Sequence, residues 1–136
     1  MRHAVAPLSV CLFLAFAGVS LAEEDAFNGI KLFERGEYSA AFDALSPLAK
    51  AGDPRAQYYL GEIYRQGRGH AQSITDALDL FKHSAEAGNA DALNALGELY
   101  LAGIGVNKDT ERARVMFEKA ISGSSLKAYI NLAYLY

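Results

Sequence analysis

Apolar positions along the chain recur at helical spacing in two alternating registers. In the first, Ala56, Leu60, Gly61 and Tyr64 return as Ala92, Leu96, Gly97 and Tyr100, and again as Ala128, Leu132, Ala133 and Tyr136. At about 100° per residue these four positions share an arc of about 140°, one face of a helix. In the second register Ala41, Leu45 and Ala49 return as Ala77, Phe81 and Ala85, then as Ala113, Phe117 and Ile121. Each triplet falls in a stripe of about 80°. Both registers step by 36 residues, which predicts two amphipathic helices per unit. One helix pair cannot enclose its own stripe, so the units must stack. Small Ala and Gly beside Leu, Tyr and Phe let helices approach while the rings fill the space between them.

Polar and special residues mark the helix ends. Asp53-Pro54 sets an N-cap carboxylate before a proline whose missing N–H costs nothing at a first helical position, and Asn89 and Ser125 hold the equivalent places. Ser73 and Asp109 precede the second helices, and Ser73 with Asp76 has the spacing of a capping box. Gly67 and Gly103 follow the last periodic residues and suit left-handed C-caps.

The first 22 residues stand apart from this pattern. Arg2 is their only charge, Leu8 to Val19 is an apolar stretch, and Ser20-Leu21-Ala22 ends it, the form of a secretory signal peptide. Pro7, Ser9, Gly18 and Ser20 make the segment a poor membrane span. No stable membrane insertion is expected once it is removed. Of the 136 residues, 114 then remain, with twelve basic against sixteen acidic side chains. The lone cysteine, Cys11, leaves with the leader, so neither disulfides nor thiolate metal ligands are available to the mature chain. Its scattered basic residues form no concentrated patch of the kind nucleic-acid binding requires.

The pattern Ala-x3-Leu-Gly-x2-Tyr-x2-Gly-x-Gly, followed by Ala-x3-Phe-x3-Ala, resembles the Sel1-like repeat, a relative of the tetratricopeptide repeat. Gly29 to Ala49, with Gly36-Glu37-Tyr38, Ala41-Phe42 and Leu45, resembles the tetratricopeptide-like half that precedes such arrays. His70 for Val, Ser73 for Asp, Ala133 for Gly and Ile121 for Ala depart from the pattern. The resemblance implies an all-α fold, a right-handed α/α superhelix (solenoid) of antiparallel helix pairs. Its units would be a half at 26–51, repeats at 53–88 and 89–124, and an incomplete third at 125–136. With the leader, it implies an exported bacterial protein, periplasmic or secreted, that serves as a scaffold or adaptor for a protein or peptide partner. Tetratricopeptide geometry would direct Arg55, Tyr58, Glu62, Arg65, Asp91, Asn94, Glu98, Lys127, Ile130 and Tyr134 to the concave face that receives this partner.

Little else carries chemistry. His83 is placed about 200° from Phe81, facing outward, and His70 follows Gly67-Arg68-Gly69, a turn without the third Gly of a phosphate loop. Glu62 and Glu98 hold the same repeat position, with about 10 Å between stacked helices, and read as separate surface charges. No catalytic residue, metal ligand or cofactor is expected. Cysteine-rich relatives associated with β-lactam or cell-wall hydrolysis offer an alternative, an enzyme, but their paired cysteines are missing. The apolar Leu126, Ile130, Leu132, Tyr134 and Leu135 of the last helix are expected to lie uncovered and to support a homodimer.

Overall fold

The computed structural model describes residues 20–136, which form seven helices and no strands. They are α1 (Leu21–Glu34), α2 (Tyr38–Lys50), α3 (Pro54–Gln66), α4 (Ile74–Glu86), α5 (Ala90–Ala102), α6 (Thr110–Ser122) and α7 (Leu126–Leu135). Each packs on the next, and α1 also reaches α3 while α5 reaches α7. This is the solenoid of helix pairs expected from the 36-residue period. The expected leader lies outside the described residues except for its last three, of which Ser20 accepts the Glu23 N–H at 3.2 Å and caps α1.

The caps fall where the polar residues predict. Asp53, Ser73, Asn89, Asp109 and Ser125 each accept a first-turn N–H through the side chain. Gly67 and Gly103 close α3 and α5 with φ of 66° and 68°, where a Cβ would be strained. The capping box at Ser73 is only half formed. Ser73 Oγ accepts the Asp76 N–H at 3.3 Å, but the Ser73 N–H donates to the Tyr64 carbonyl at 2.9 Å. Asp109 does the same toward Tyr100 at 2.9 Å, so the bond that closes this loop repeats with the chain.

Three apolar clusters fill the steps of the stack. Ala41, Leu45, Ala56, Leu60 and Ile63 join α2 to α3; Ala77, Phe81, Ala92, Leu96 and Leu99 join α4 to α5; Ala113, Phe117, Ala120 and Ala128 join α6 to α7. Phe81 and Phe117 are fully buried, each stabilising its step by about 1.5–3 kcal/mol. Their depth depends on the glycine of the preceding helix. A Cβ on Gly61 would stand 2.6 Å from Phe81 Cε1, and one on Gly97 would stand 2.5 Å from Phe117 Cε1.

Two expectations need correction. His70, read as a simple turn residue, stacks on Phe42 with ring centroids 4.3 Å apart and meets Tyr64 edge-on at 4.9 Å. Val106 at the corresponding position packs against the α4–α5 core, so the imidazole here replaces an aliphatic pin. In α7, Leu126, Ile130 and Tyr134 are exposed, yet Leu132 and Leu135 pack against the α6 cluster. Ala133 and Tyr136, which follow the core register, are exposed. His83 faces solvent as expected.

Candidate protein-interaction face

Residues on α1, α3, α5 and α7, with Tyr38 at the start of α2, surround one hollow of about 350 Å³, lined by Phe33, Glu34, Tyr38, Tyr58, Tyr59, Glu62, Gln66, Asp91 and Lys127. Contact with both the first and the last described helices marks it as the inner face of a curved array. The helical period explains the wall that α3 supplies. Tyr58, Glu62 and Gln66 are spaced at i, i+4 and i+8 and lie along one line of the helix, with Tyr59 beside them. Four rings run edge to face along the hollow. Phe33 meets Tyr38 at 5.2 Å and Tyr59 at 5.1 Å, and Tyr59 meets Tyr58 at 5.0 Å.

The electrostatics of this wall are negative. Burial pushes the Tyr58 phenol well above its ordinary value, and the charges of Glu62 and then Asp91 add to the effect. Tyr59 is raised by burial and then by Asp91, Glu34 and Glu62. Three carboxylates therefore converge on one pair of rings. Lys127 is the cation among the lining residues.

A second feature of the inner face is a polar ladder through three successive units. Gln66 Nε2 and Arg65 Nη2 both donate to Glu62 Oε2, at 2.8 and 2.9 Å. Arg65 Nη1 donates to Glu98 Oε2 at 2.8 Å. Glu98 Oε1 accepts from Asn94 Nδ2 and Asn131 Nδ2, both at 3.0 Å, and Asn131 also donates to Asn94 Oδ1 at 2.8 Å. The Arg65 guanidinium lies 6.0 Å from the centroid of the Phe81 ring. Burial opposes its charge, but the Glu62 charge and the hydrogen bonds the guanidinium donates to both carboxylates outweigh this and hold it above the usual range.

The ten residues assigned to the concave face thus divide into three groups. Tyr58, Glu62, Asp91 and Lys127 line the hollow. Arg65, Asn94 and Glu98 are committed to the ladder, and Glu62 serves both. Arg55 is exposed at the start of α3, paired with Asp53 at 3.2 Å. Ile130 and Tyr134 are exposed on α7 and line no part of the hollow. Tyr58, Glu62 and Asn94 are only 8, 4 and 3% exposed, which corrects the reading of Glu62 as a surface charge. Glu62 and Glu98 are not separate charges either, because the long Arg65 side chain spans the helix spacing and binds both. Phe33, Glu34, Tyr38, Tyr59 and Gln66 were missed, as was Asn131 in the ladder. The nearest available signal was the Tyr58-Tyr59 pair; α1, where the shorter tetratricopeptide-like half breaks the 36-residue register, offered none.

A larger hollow of about 630 Å³ lies on the opposite side, between α2, α3 and α4, with Phe42, Leu60, Tyr64 and Leu80 in its lining. It is a product of curvature. Ser46, Ala49, Lys50, Gln57, Leu60, Leu80 and His83 have counterparts one period later in Lys82, Ala85, Glu86, Leu93, Leu96, Met116 and Lys119, which line a hollow of about 240 Å³. Every step of the stack opens such a wedge between second helices. The tyrosine pair of the inner hollow does not repeat, for Asn94 and Ala95 stand where Tyr58 and Tyr59 would recur. Among the described residues no group of His, Cys, Asp and Glu is placed to hold a metal ion, and no helix is long and apolar enough to cross a membrane.

The Sel1 repeat model matches residues 54–89 and 90–125, two adjacent stretches of 36 residues. Among solved structures, a Sel1 repeat protein from Oxalobacter formigenes superposes with a TM-score of 0.78 at 26% identity, over 94% of this chain and 54% of that one. A protective antigen of uropathogenic Escherichia coli strains displaying an SLR fold gives 0.75 at 27% identity, over 85% of this chain and 26% of its own. Cysteine rich protein B of Helicobacter pylori shares the fold, with a TM-score of 0.62 at 21% identity over 82% of this chain and 97% of that one. The chain therefore spans about half the length of the first of these proteins and a quarter of the second. Curated protein sequences give no match. Sel1-repeat proteins are generally non-enzymatic helical scaffolds, commonly for protein–protein interaction. With two consecutive repeats over more than half of its length, on a solenoid shared with other Sel1 repeat proteins, the chain belongs to the Sel1 repeat family.

Proposed function

We propose that this chain is an exported interaction module that binds a peptide segment of a protein partner on its inner face and holds that partner without transforming it. The observation that carries the reading is the hollow between α1, α3, α5 and α7. Its aromatic wall is specific to one step of the array, whereas the wedges on the outer side follow from the repeat itself. Aromatic side chains beside charged ones are what protein recognition surfaces concentrate. Fixed on helices rather than loops, they pre-organise the surface and lower the ordering cost of binding.

Peptide selection on the immobilised chain tests this. Selected peptides should lose at least about tenfold in affinity to the inner-face variants Tyr59→Ala and Asp91→Lys, the loss of about 1.4 kcal/mol that one central contact supplies. The outer-face variant Lys82→Glu should change affinity by less than about twofold. Equal losses on both faces, or no selectable peptide, would end the proposal. Export is checked separately by fractionation and N-terminal sequencing. The mature protein should begin at Glu23 outside the cytoplasm, and an uncut chain retained in the cytoplasm rules that part out.

A further inference from the structure

We infer that the hollow receives the guanidinium of an arginine side chain presented by the partner peptide, an assignment that rests on the inner-face reading above. The walls have the two properties such a group needs. Phe33, Tyr38, Tyr59 and Tyr58 form a continuous edge-to-face row, and aromatic faces attract a planar cation by their quadrupole. Carboxylates come from three helices: Glu34 on α1, Glu62 on α3 and Asp91 on α5. Among the described residues neither Glu34 nor Asp91 forms an ion pair, while Glu62 shares its Oε2 with Arg65 and Gln66.

An unmet acceptor points the same way. Glu62 is 4% exposed and lines the hollow, yet its Oε1 is buried without a hydrogen-bond partner. A buried carboxylate oxygen left unpaired is costly, and a donor entering the hollow beside it removes that cost. Arginine suits the site better than lysine because its fork can engage a carboxylate and lie against a ring at once, whereas an ammonium acts as a hydrated point charge. Lys127 at the rim offsets part of the negative charge and therefore works against an incoming cation.

The probe is N-acetylarginine N-methylamide, titrated into the full chain while the ring resonances of Tyr58 and Tyr59 are followed by NMR. Saturable shifts are expected, and the neutral citrulline analogue should bind at least about tenfold more weakly because it lacks the charge. Glu34→Gln and Asp91→Asn should each weaken binding about threefold, and Lys127→Gln should strengthen it about twofold, as charges a few ångströms apart near a protein surface dictate. These side chains are exposed or half-buried, so the variants keep the fold, and the gain at Lys127 is a response that lost structure would not produce. Citrulline or lysine analogues binding as tightly as arginine, or the absence of saturation up to roughly 50 mM, overturns the assignment. If peptides are selected on the inner face and depend on Tyr59 but carry no arginine, this inference falls while the interaction reading stands.

Discussion

At Gly97 a single hydrogen atom separates the backbone of α5 from the Phe117 ring. Gly97→Ala gains about 0.8–1 kcal/mol of helix propensity but must displace a fully buried ring, at about 1–3 kcal/mol. We expect a net destabilisation of up to about 2 kcal/mol by urea denaturation. The same repeat position in α7 is Ala133, which is exposed, and there the sign reverses. Ala133→Gly should itself destabilise by about 1 kcal/mol through propensity alone. A Gly97→Ala variant more stable than the parent chain would contradict the role given to Phe117. This part of the molecule was legible in the sequence, because small-beside-large pairs at a fixed period encode close approach directly. The inner-face residues were less so. An azimuth on a helix places Tyr58, Glu62 and Asn94 on the inner side, but how deeply they lie depends on how far the stack curls and on which neighbours reach across, and no local pattern carries that.

Among the helices, the N-caps of α3, α5 and α7 form a graded set, Asp53, Asn89 and Ser125, of which Asp53 alone carries charge. Burial works to raise the Asp53 carboxyl, but hydrogen bonds from the Arg55 side chain and the Ala56 and Arg55 N–H groups, with the Arg55 charge, hold it below its ordinary value of 3.8. A depressed carboxyl stabilises the fold above its unfolded value, and that contribution is lost as the pH falls through the folded one. Asp53→Asn should therefore cost stability at neutral pH, and the difference from the parent chain should shrink once the pH drops below about 3.8. Thermal melts across that range check it, and a gap that widens in acid would refute the assignment. These ends were readable from single residues, since capping is local chemistry. The loop bonds from Ser73 to Tyr64 and from Asp109 to Tyr100 were not, because they tie a second helix back to the first across the turn.

In the molecule as a whole, each unit touches mainly its neighbours, so stability is close to a sum of local steps. The ladder of Gln66, Glu62, Arg65, Glu98, Asn94 and Asn131 is a polar link that runs across two of those steps. Arg65→Ala leaves Glu62 buried without its cation and should cost about 2–3 kcal/mol, the lower range for a pair that is not fully enclosed. Arg55→Ala, at an exposed pair, should cost under about 1 kcal/mol. Urea titration of both variants distinguishes them, and equal effects would deny the ladder any special weight.

The ladder also has a mechanical side. Stacked helix pairs behave as a coiled spring, and the ladder lies on its inner circumference, where α3, α5 and α7 are joined by bonds of fixed length. Among the described residues no comparable chain of side-chain bonds links α2, α4 and α6 on the outer circumference, where wedges open between second helices. Bending stiffness is thus unequal across the spring, and the radius of the hollow is set from within, in part at Arg65, Asn94, Glu98 and Asn131, which lie outside its lining. Cutting the rail at Arg65 should let the array uncurl and raise its radius of gyration in small-angle scattering, and an unchanged radius would mean that curvature is held elsewhere. Sequence change at Arg65, Asn94, Glu98 or Asn131 would then retune the shape offered to a partner while leaving the side chains that line the hollow untouched.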